Sequence, residues 1–163
     1  MALGRRHDLF NLLALPPCLY LLPKEVYLPF TAGYLIGTFF LSPDLDLRHS
    51  KPSRRWKVFR YIWRPYQAFS RHRGISHVPL LGVFIKLLYL FIFLLFLYFF
   101  LLGLSSTHMP EFTEGLLNFD PFKLLSYLSQ REWAFYLILG IFTSEVFHIV
   151  LDILSSSLKK LLK

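Results

Sequence analysis

Four apolar runs, separated by polar and basic stretches, organise the chain. Residues 9–22 form the first; as a helix they would reach about 21 Å, short of the roughly 30 Å hydrocarbon core of a bilayer, and so read as a marginal or half-buried span. Residues 26–41 form an aromatic second run in which Gly33 and Gly37 stand at small-xxx-small spacing, allowing another helix to approach closely. Ser42-Pro43 ends it, because proline lacks a backbone donor and pushes the residue before it away from helical backbone. The third run, residues 78–104, is the longest, and its portion 87–104 alone would rise about 27 Å, enough to span. The fourth, residues 133–154, is apolar at first and then admits Glu145, His148 and Asp152, which fall on one helical stripe.

The polar stretches orient these runs. Residues 44–76 carry Arg48, Lys51, Arg54, Arg55, Lys57, Arg60, Arg64, Arg71 and Arg73, half of all the lysine and arginine, which marks the segment as cytoplasmic. Within it Trp56, Phe59, Ile62, Trp63 and Tyr66 recur at helical spacing among the basic residues, so residues 54–66 read as an amphipathic helix lying in the headgroup plane. The alternative is a basic loop whose aromatics pack on the helix bundle. Lys86, just before the longest run, is expected to snorkel toward the cytoplasmic surface, although a polar bundle interior would also hold it. Residues 105–132 set Glu111, Glu114, Asp120 and Glu132 against Lys123 and Arg131 and belong outside; Lys159, Lys160 and Lys163 return to the cytoplasmic side. The pattern predicts an all-α integral membrane protein of one domain, residues 1–163, with three to four membrane helices and a cytoplasmic interfacial amphipathic helix. Both termini are expected to face the cytoplasm, in a multi-pass protein of the cell's inner membrane.

Composition narrows the function. A content of 55% hydrophobic and 18% aromatic residues does not suit an ordinary soluble domain. The formal charge of +8 calls for anionic partners, and on a membrane chain the anionic lipid face is a simpler partner than nucleic acid, which is not expected. The lone Cys18 excludes an internal disulfide framework and a cysteine-based zinc cluster. Pro16-Pro17 interrupts the first run, and no small-residue cleavage site follows, so no cleavable signal peptide is expected. There is neither a serine nucleophile elbow nor a glycine-rich phosphate loop.

What remains is a set of histidines and carboxylates. His72 and His77 flank an Arg-Gly turn in HRGISH; His7-Asp8 stands near the start, Asp44-Leu-Asp46 after the second run, and His148 with Asp152 in the fourth. If the runs cross alternately from a cytoplasmic amino terminus, every one of these residues arrives at the same membrane face, which predicts a shared metal site. In an extended stretch Asp44 and Asp46 would point the same way, and on a helix His148 and Asp152 stack at i, i+4. Asp44-Leu-Asp46 can also be read as an acidic turn, and Glu145 as a buried carboxylate paired with a base such as Lys86. His49 and His108 read as surface residues.

The combination of His7-Asp8, SPDLDL (residues 42–47), RWKVFRYIWRPY (55–66), HRGISHVPLLG (72–82) and HIVLD (148–152) resembles a bacterial and archaeal family of metal-binding membrane proteins without assigned function. That family is similar to the YdjM-type membrane-bound metal-dependent hydrolases and, more distantly, to the zinc-dependent phospholipases C, although the chain lacks the full set of histidines those phospholipases use. The resemblance implies His7, Asp44, Asp46, His72, His77, His148 and Asp152 as metal ligands, with Asp8 and Glu145 as further candidates. The cofactor it implies is a divalent metal, zinc first, with manganese, iron or magnesium as alternatives. The expected activity is hydrolysis of a phosphoester in a lipid or amphiphile, with Asp8, Asp46 or Glu145 as general base and Arg73 holding the phosphate. Non-enzymatic metal binding or transport, or a structural metal pin between helices, is the competing expectation.

Overall fold

The computed structural model describes residues 4–70, 74–107 and 109–161, and among these the protein is helical, with no strand. Helix α1 (Gly4–Tyr20) carries Pro16 and Pro17 near its end. A short 3₁₀ turn (Lys24–Val26) leads into α2 (Tyr27–Phe39), where Pro29 sits in the first turn and so removes no intrahelical bond. As the sequence requires, α2 stops before Pro43: Ser42 is extended (φ −52°, ψ 151°), and a 3₁₀ turn, Pro43–Asp46, follows.

The basic segment differs from expectation. Residues 54–66 do not form one amphipathic helix but three short pieces: α3 (Lys51–Arg55), a 3₁₀ stretch (Lys57–Trp63) and α4 (Arg64–Phe69). Ser50 caps α3 by accepting a hydrogen bond from Ser53 N at 3.3 Å. Lys57, with φ at 50°, breaks the helical path immediately afterwards. The break turns part of the aromatic stripe inward: Trp63 and Tyr66 are buried and pack on Tyr89, with ring centroids 5.6 and 5.7 Å away, while Val58, Phe59 and Tyr61 stay exposed. The aromatics thus pack largely on the bundle, the arrangement held open as the alternative.

A 3₁₀ turn (Ile75–His77) leads into α5 (Leu81–Ser105) through Leu80, at φ 67° and ψ −52°. Leu81 N donates to Pro79 O across it at 2.8 Å, closing a γ-turn that a non-glycine residue adopts only under strain. Residues 105–132, expected as an outer polar segment, instead form α6 (Pro110–Leu117) and α7 (Pro121–Ser129), folded back along α5. Tyr98 Oη lies 3.1 Å from both Leu116 O and Phe119 O, which share its one proton, and Phe122 meets Phe91. Helix α8 (Glu132–Leu161) completes the fold.

Among the described residues two helical stretches are long and apolar enough to cross a membrane, Leu81–Ser105 and Glu132–Leu158, rather than the three to four expected. Helix α2, at 13 residues, rises only about 20 Å, and α1, at 17, about 26 Å.

The tightest helix pair is α2 with α8, and glycine makes it so. A methyl group at Gly33 would lie 1.9 Å from Leu137 O, one at Gly37 2.1 Å from Ser144 Oγ, and one at Gly140 2.2 Å from Phe30 O. Backbones meet here without intervening side chains, as the 33/37 spacing predicts. Lys86 does not snorkel: it is fully buried, its Nζ donating to Leu41 O at 2.7 Å and to Glu145 Oε2 at 2.8 Å. This pair ties α5 to α8 beside an apolar core of Leu41, Leu45, Trp63, Tyr66, Val83 and Ile141.

Candidate metal centre

Five of the residues singled out in the sequence meet at one place. His7 comes from the first turns of α1, Asp44 from the 3₁₀ turn after α2, His77 from the turn before α5, and His148 and Asp152 from successive turns of α8. Their ligating atoms form two overlapping groups, His7/His148/Asp152 and Asp44/His77/Asp152, with every atom of a group within 4.8 Å of the others. Asp152 belongs to both. Its Oδ1 lies 3.4 Å from His7 Nε2, and its Oδ2 lies 3.8 Å from His77 Nε2 and 3.9 Å from His148 Nε2. Asp44 Oδ2 stands 3.6 Å from His148 Nε2.

These separations suit a cation. Two ligands each about 2.1 Å from a tetrahedral ion stand about 3.4 Å apart, near the spacing seen between His7 and Asp152. The imidazole atoms are also oriented for it. Ser42 Oγ engages His148 Nδ1 at 3.3 Å, and Ser76 Oγ lies 3.1 Å from His77 Nδ1, so in each ring the hydrogen bond falls on Nδ1 and Nε2 faces the carboxylates. His148 Nε2 is buried and makes no hydrogen bond among the described residues. A buried nitrogen without a partner is costly, and a cation among two carboxylates would satisfy it. The donor set of imidazole and carboxylate, with no thiolate, fits zinc, manganese or iron.

The rings of His7 and His148 stack at 3.9 Å, and the polar contacts around them lock the first helix to the last. Asn11, one turn beyond His7, donates from Nδ2 to Thr38 Oγ1 at 3.2 Å and to Ser144 O at 3.0 Å, while Tyr34 Oη donates to Asn11 O at 2.9 Å. Asp44 is largely buried, which raises its pKa, but the nearness of the His148 imidazole, 3.6 Å away, and of His7 outweighs burial and holds the carboxyl below its usual range. It is therefore held ionised, as a metal ligand must be.

The remaining described sequence candidates lie elsewhere. Asp44 and Asp46 do not point the same way, because the segment winds as a 3₁₀ turn instead of extending; Leu45 and Asp46 are buried, and Asp46 Oδ2 accepts from Ser76 Oγ at 2.7 Å. Asp46 thus stands behind His77, through Ser76. Asp8 turns away from the cluster into a two-pronged pair with Arg55, at 2.6 and 3.3 Å, with Lys51 at 3.8 Å. Glu145 shares the α8 stripe but is paired with Lys86. His72 and Arg73 lie outside the described residues, as does His108; His49 is exposed. Sequence reasoning passed over Ser42, Ser76 and Asn11. The signal for the first two was present in SPD, where Ser42 stands two residues before Asp44, and in ISH, where Ser76 adjoins His77.

A cavity of about 320 Å³ opens against the cluster, lined by His77, Ile149, Asp152, Ile153, Ser156 and Ser157. It gives two of the five residues, His77 and Asp152, access to an outside molecule.

The sequence profile of a family described as "Uncharacterized metal-binding protein (DUF2227)" matches residues 2–162. A protein of Aquifex aeolicus (strain VF5), named only as uncharacterized, is 52% identical over 140 residues, covering 86% of this chain and 99% of its own length. No solved structure matches the chain.

Proposed function

From the premise that this chain belongs to the DUF2227 family of uncharacterized metal-binding proteins, we propose that it is a membrane-embedded, metal-dependent hydrolase of a phosphoester in a lipid or amphiphile. The observation carrying this reading is the convergence of His7, Asp44, His77, His148 and Asp152 beside an open cavity. These residues would hold the ion, with His72 as a further ligand; zinc is the first choice, then manganese, iron or magnesium. When bound, a divalent cation supplies a lowered water pKa, near 7 at best, and polarises a phosphoryl oxygen.

The chain's own groups divide the remaining work. Asp46 orients Ser76, and Ser76 fixes the His77 ring. Of the three carboxylates considered as general base, Asp8 is paired with Arg55, Glu145 with Lys86 and Asp46 with Ser76; proton acceptance is assigned to Asp46, acting through the Ser76 hydroxyl beside His77. Arg73 is assigned to the phosphate. The apolar flank of α5 supports membrane embedding, since Leu88, Ile92, Phe96 and Phe99 stay exposed along a helix of spanning length. The basic segment then faces the anionic lipids of the cytoplasmic leaflet, with both termini on that side. The resemblance to YdjM-type hydrolases supports the reaction class.

A second reading, a structural ion pinning helix ends, is favoured by the burial of His7 and His148, only 3% and 4% exposed. Purified protein would be stripped with chelator, reloaded separately with zinc, manganese, iron or magnesium, and assayed on phosphomonoester and phosphodiester substrates. Metal-dependent turnover that disappears in Asp152→Ala supports hydrolysis. Tight metal binding with no turnover on any phosphoester would overturn it in favour of the structural pin.

A further inference from the structure

The basic segment builds a pocket of its own, which the metal centre does not use. Arg48, His49, Ser53, Arg60, Arg64 and Gln67 enclose about 220 Å³. Among the described residues no carboxylate pairs with Arg48, Arg60 or Arg64, whereas Arg55 and Lys51 nearby are both engaged by Asp8. Two of the unpaired guanidinium groups converge on a single phenol. Arg64 lies 4.4 Å and Arg60 5.2 Å from the Tyr61 ring centre, and Arg60 Nη2 also donates to Tyr61 Oη at 3.4 Å. Their concentrated field is felt locally: the hydrogen bond from Arg60 and the charges of Arg60 and Arg64 draw the Tyr61 pKa below its ordinary value. Like charges gathered without a counter-charge repel one another, and the fold gains if an anion enters between them.

The wall of the pocket is prepared for the same ligand. Ser53 is 1% exposed, and its Oγ accepts from Gln67 Nε2 at 3.3 Å, which leaves its hydroxyl proton to be donated. Gln67 Nε2 also donates to Leu45 O at 2.9 Å, in the turn that carries Asp44 and Asp46. The back of the pocket is therefore tied directly to the loop that supplies the metal centre.

We propose that Arg48, Arg60 and Arg64, with Ser53 at their back, form a receptor for a phosphate-class anion, separate from the metal centre. Planar guanidinium forks match phosphate oxygens in pairs, and a pocket of about 220 Å³ has room for a phosphate group. The source is either a phospholipid headgroup at the cytoplasmic leaflet or free phosphate. The receptor deepens the membrane reading of the basic segment and does not depend on hydrolysis.

The test uses the full chain in neutral detergent, stripped of metal so that the second site cannot answer for the first, at constant ionic strength. Thermal unfolding is followed with inorganic phosphate, with dihexanoyl phosphatidic acid and with dihexanoyl phosphatidylcholine. Phosphatidic acid should raise the midpoint where phosphatidylcholine does not; an equal rise with inorganic phosphate assigns the site to free phosphate, and a rise with the lipid alone assigns it to the headgroup. Either rise should survive His148→Ala and the charge-matched Lys24→Gln/Lys57→Gln variant. It should weaken at least tenfold in apparent affinity in Arg60→Gln/Arg64→Gln. Should that variant fold poorly, Arg60→Lys/Arg64→Lys keeps the charge, loses the forks and should weaken binding severalfold. A rise unchanged in both arginine variants, a rise lost equally in the charge-matched variant, or no rise with either phosphate ligand would overturn the proposal.

Discussion

Replacing Gly33 by alanine tests whether helix packing sets the metal centre. The added methyl would sit 1.9 Å from Leu137 O, a backbone atom that no rotamer change can move. An ordinary C···O approach is about 3.3 Å, so α2 and α8 must part by about 1.4 Å along the contact. Overpacking of this kind costs about 1–3 kcal/mol, and more where backbone must move, as here. The damage should reach the site, because α8 carries His148 and Asp152 while the turn after α2 carries Asp44, and metal bonds tolerate errors of only about 0.2 Å. Gly103→Ala is the matched control: nothing lies within 4 Å of that methyl, and alanine is favoured in a helix by about 1 kcal/mol. Thermal unfolding in detergent and bound metal by elemental analysis are read on both variants. Gly33→Ala should lose stability and metal together, while Gly103→Ala keeps both. A Gly33→Ala protein with unchanged unfolding temperature and full metal content would refute the argument.

His148→Ala and Asp152→Ala should bind at least tenfold less metal than wild type, with His49→Ala unaffected; equal metal content in all three would remove the centre. Lys86→Met leaves Glu145 buried and uncompensated and should cost about 3–5 kcal/mol, while Lys86→Met/Glu145→Leu should recover most of it, as a double-mutant cycle of unfolding free energies would report. Leu80→Gly relieves the γ-turn strain and should raise stability by up to about 1 kcal/mol; a loss instead would mean that the exposed leucine side chain matters more than its backbone.

The meeting of His7, Asp44, His77, His148 and Asp152 was legible because charge within or beside an apolar run stands out, and because lysine and arginine bias led to the expectation that all of them lie at one face. The close approach of α2 and α8 was legible for a similar reason: glycines four apart in an aromatic run have few other uses. The path of the chain between these points was not. A Ser-Pro followed by alternating carboxylates is compatible with an extended strand or a 3₁₀ turn, and only the turn sends Asp44 and Asp46 to different partners. The aromatic periodicity of residues 54–66 is real, yet the positive φ at Lys57 leaves no trace in composition, so one helix was expected where three pieces form. Helices α6 and α7 were hidden by their acidic residues, which suggested an outer loop and concealed the apolar faces that pack on α5.

The stacking of His7 against His148 joins residues from the first and last helices of the described chain. An ion held between His7 and Asp152 is in effect a cross-link closing a loop of more than a hundred residues. In the chain-entropy account of cross-links, loops of that size are worth about 5 kcal/mol, drawn from the disorder denied to the unfolded chain. Such a clasp cannot form before α8 has left the ribosome and docked on α1. Complete metal capture is then among the last events of folding, and a chain stalled before residue 148 lacks His148 and Asp152, the carboxylate common to both groups.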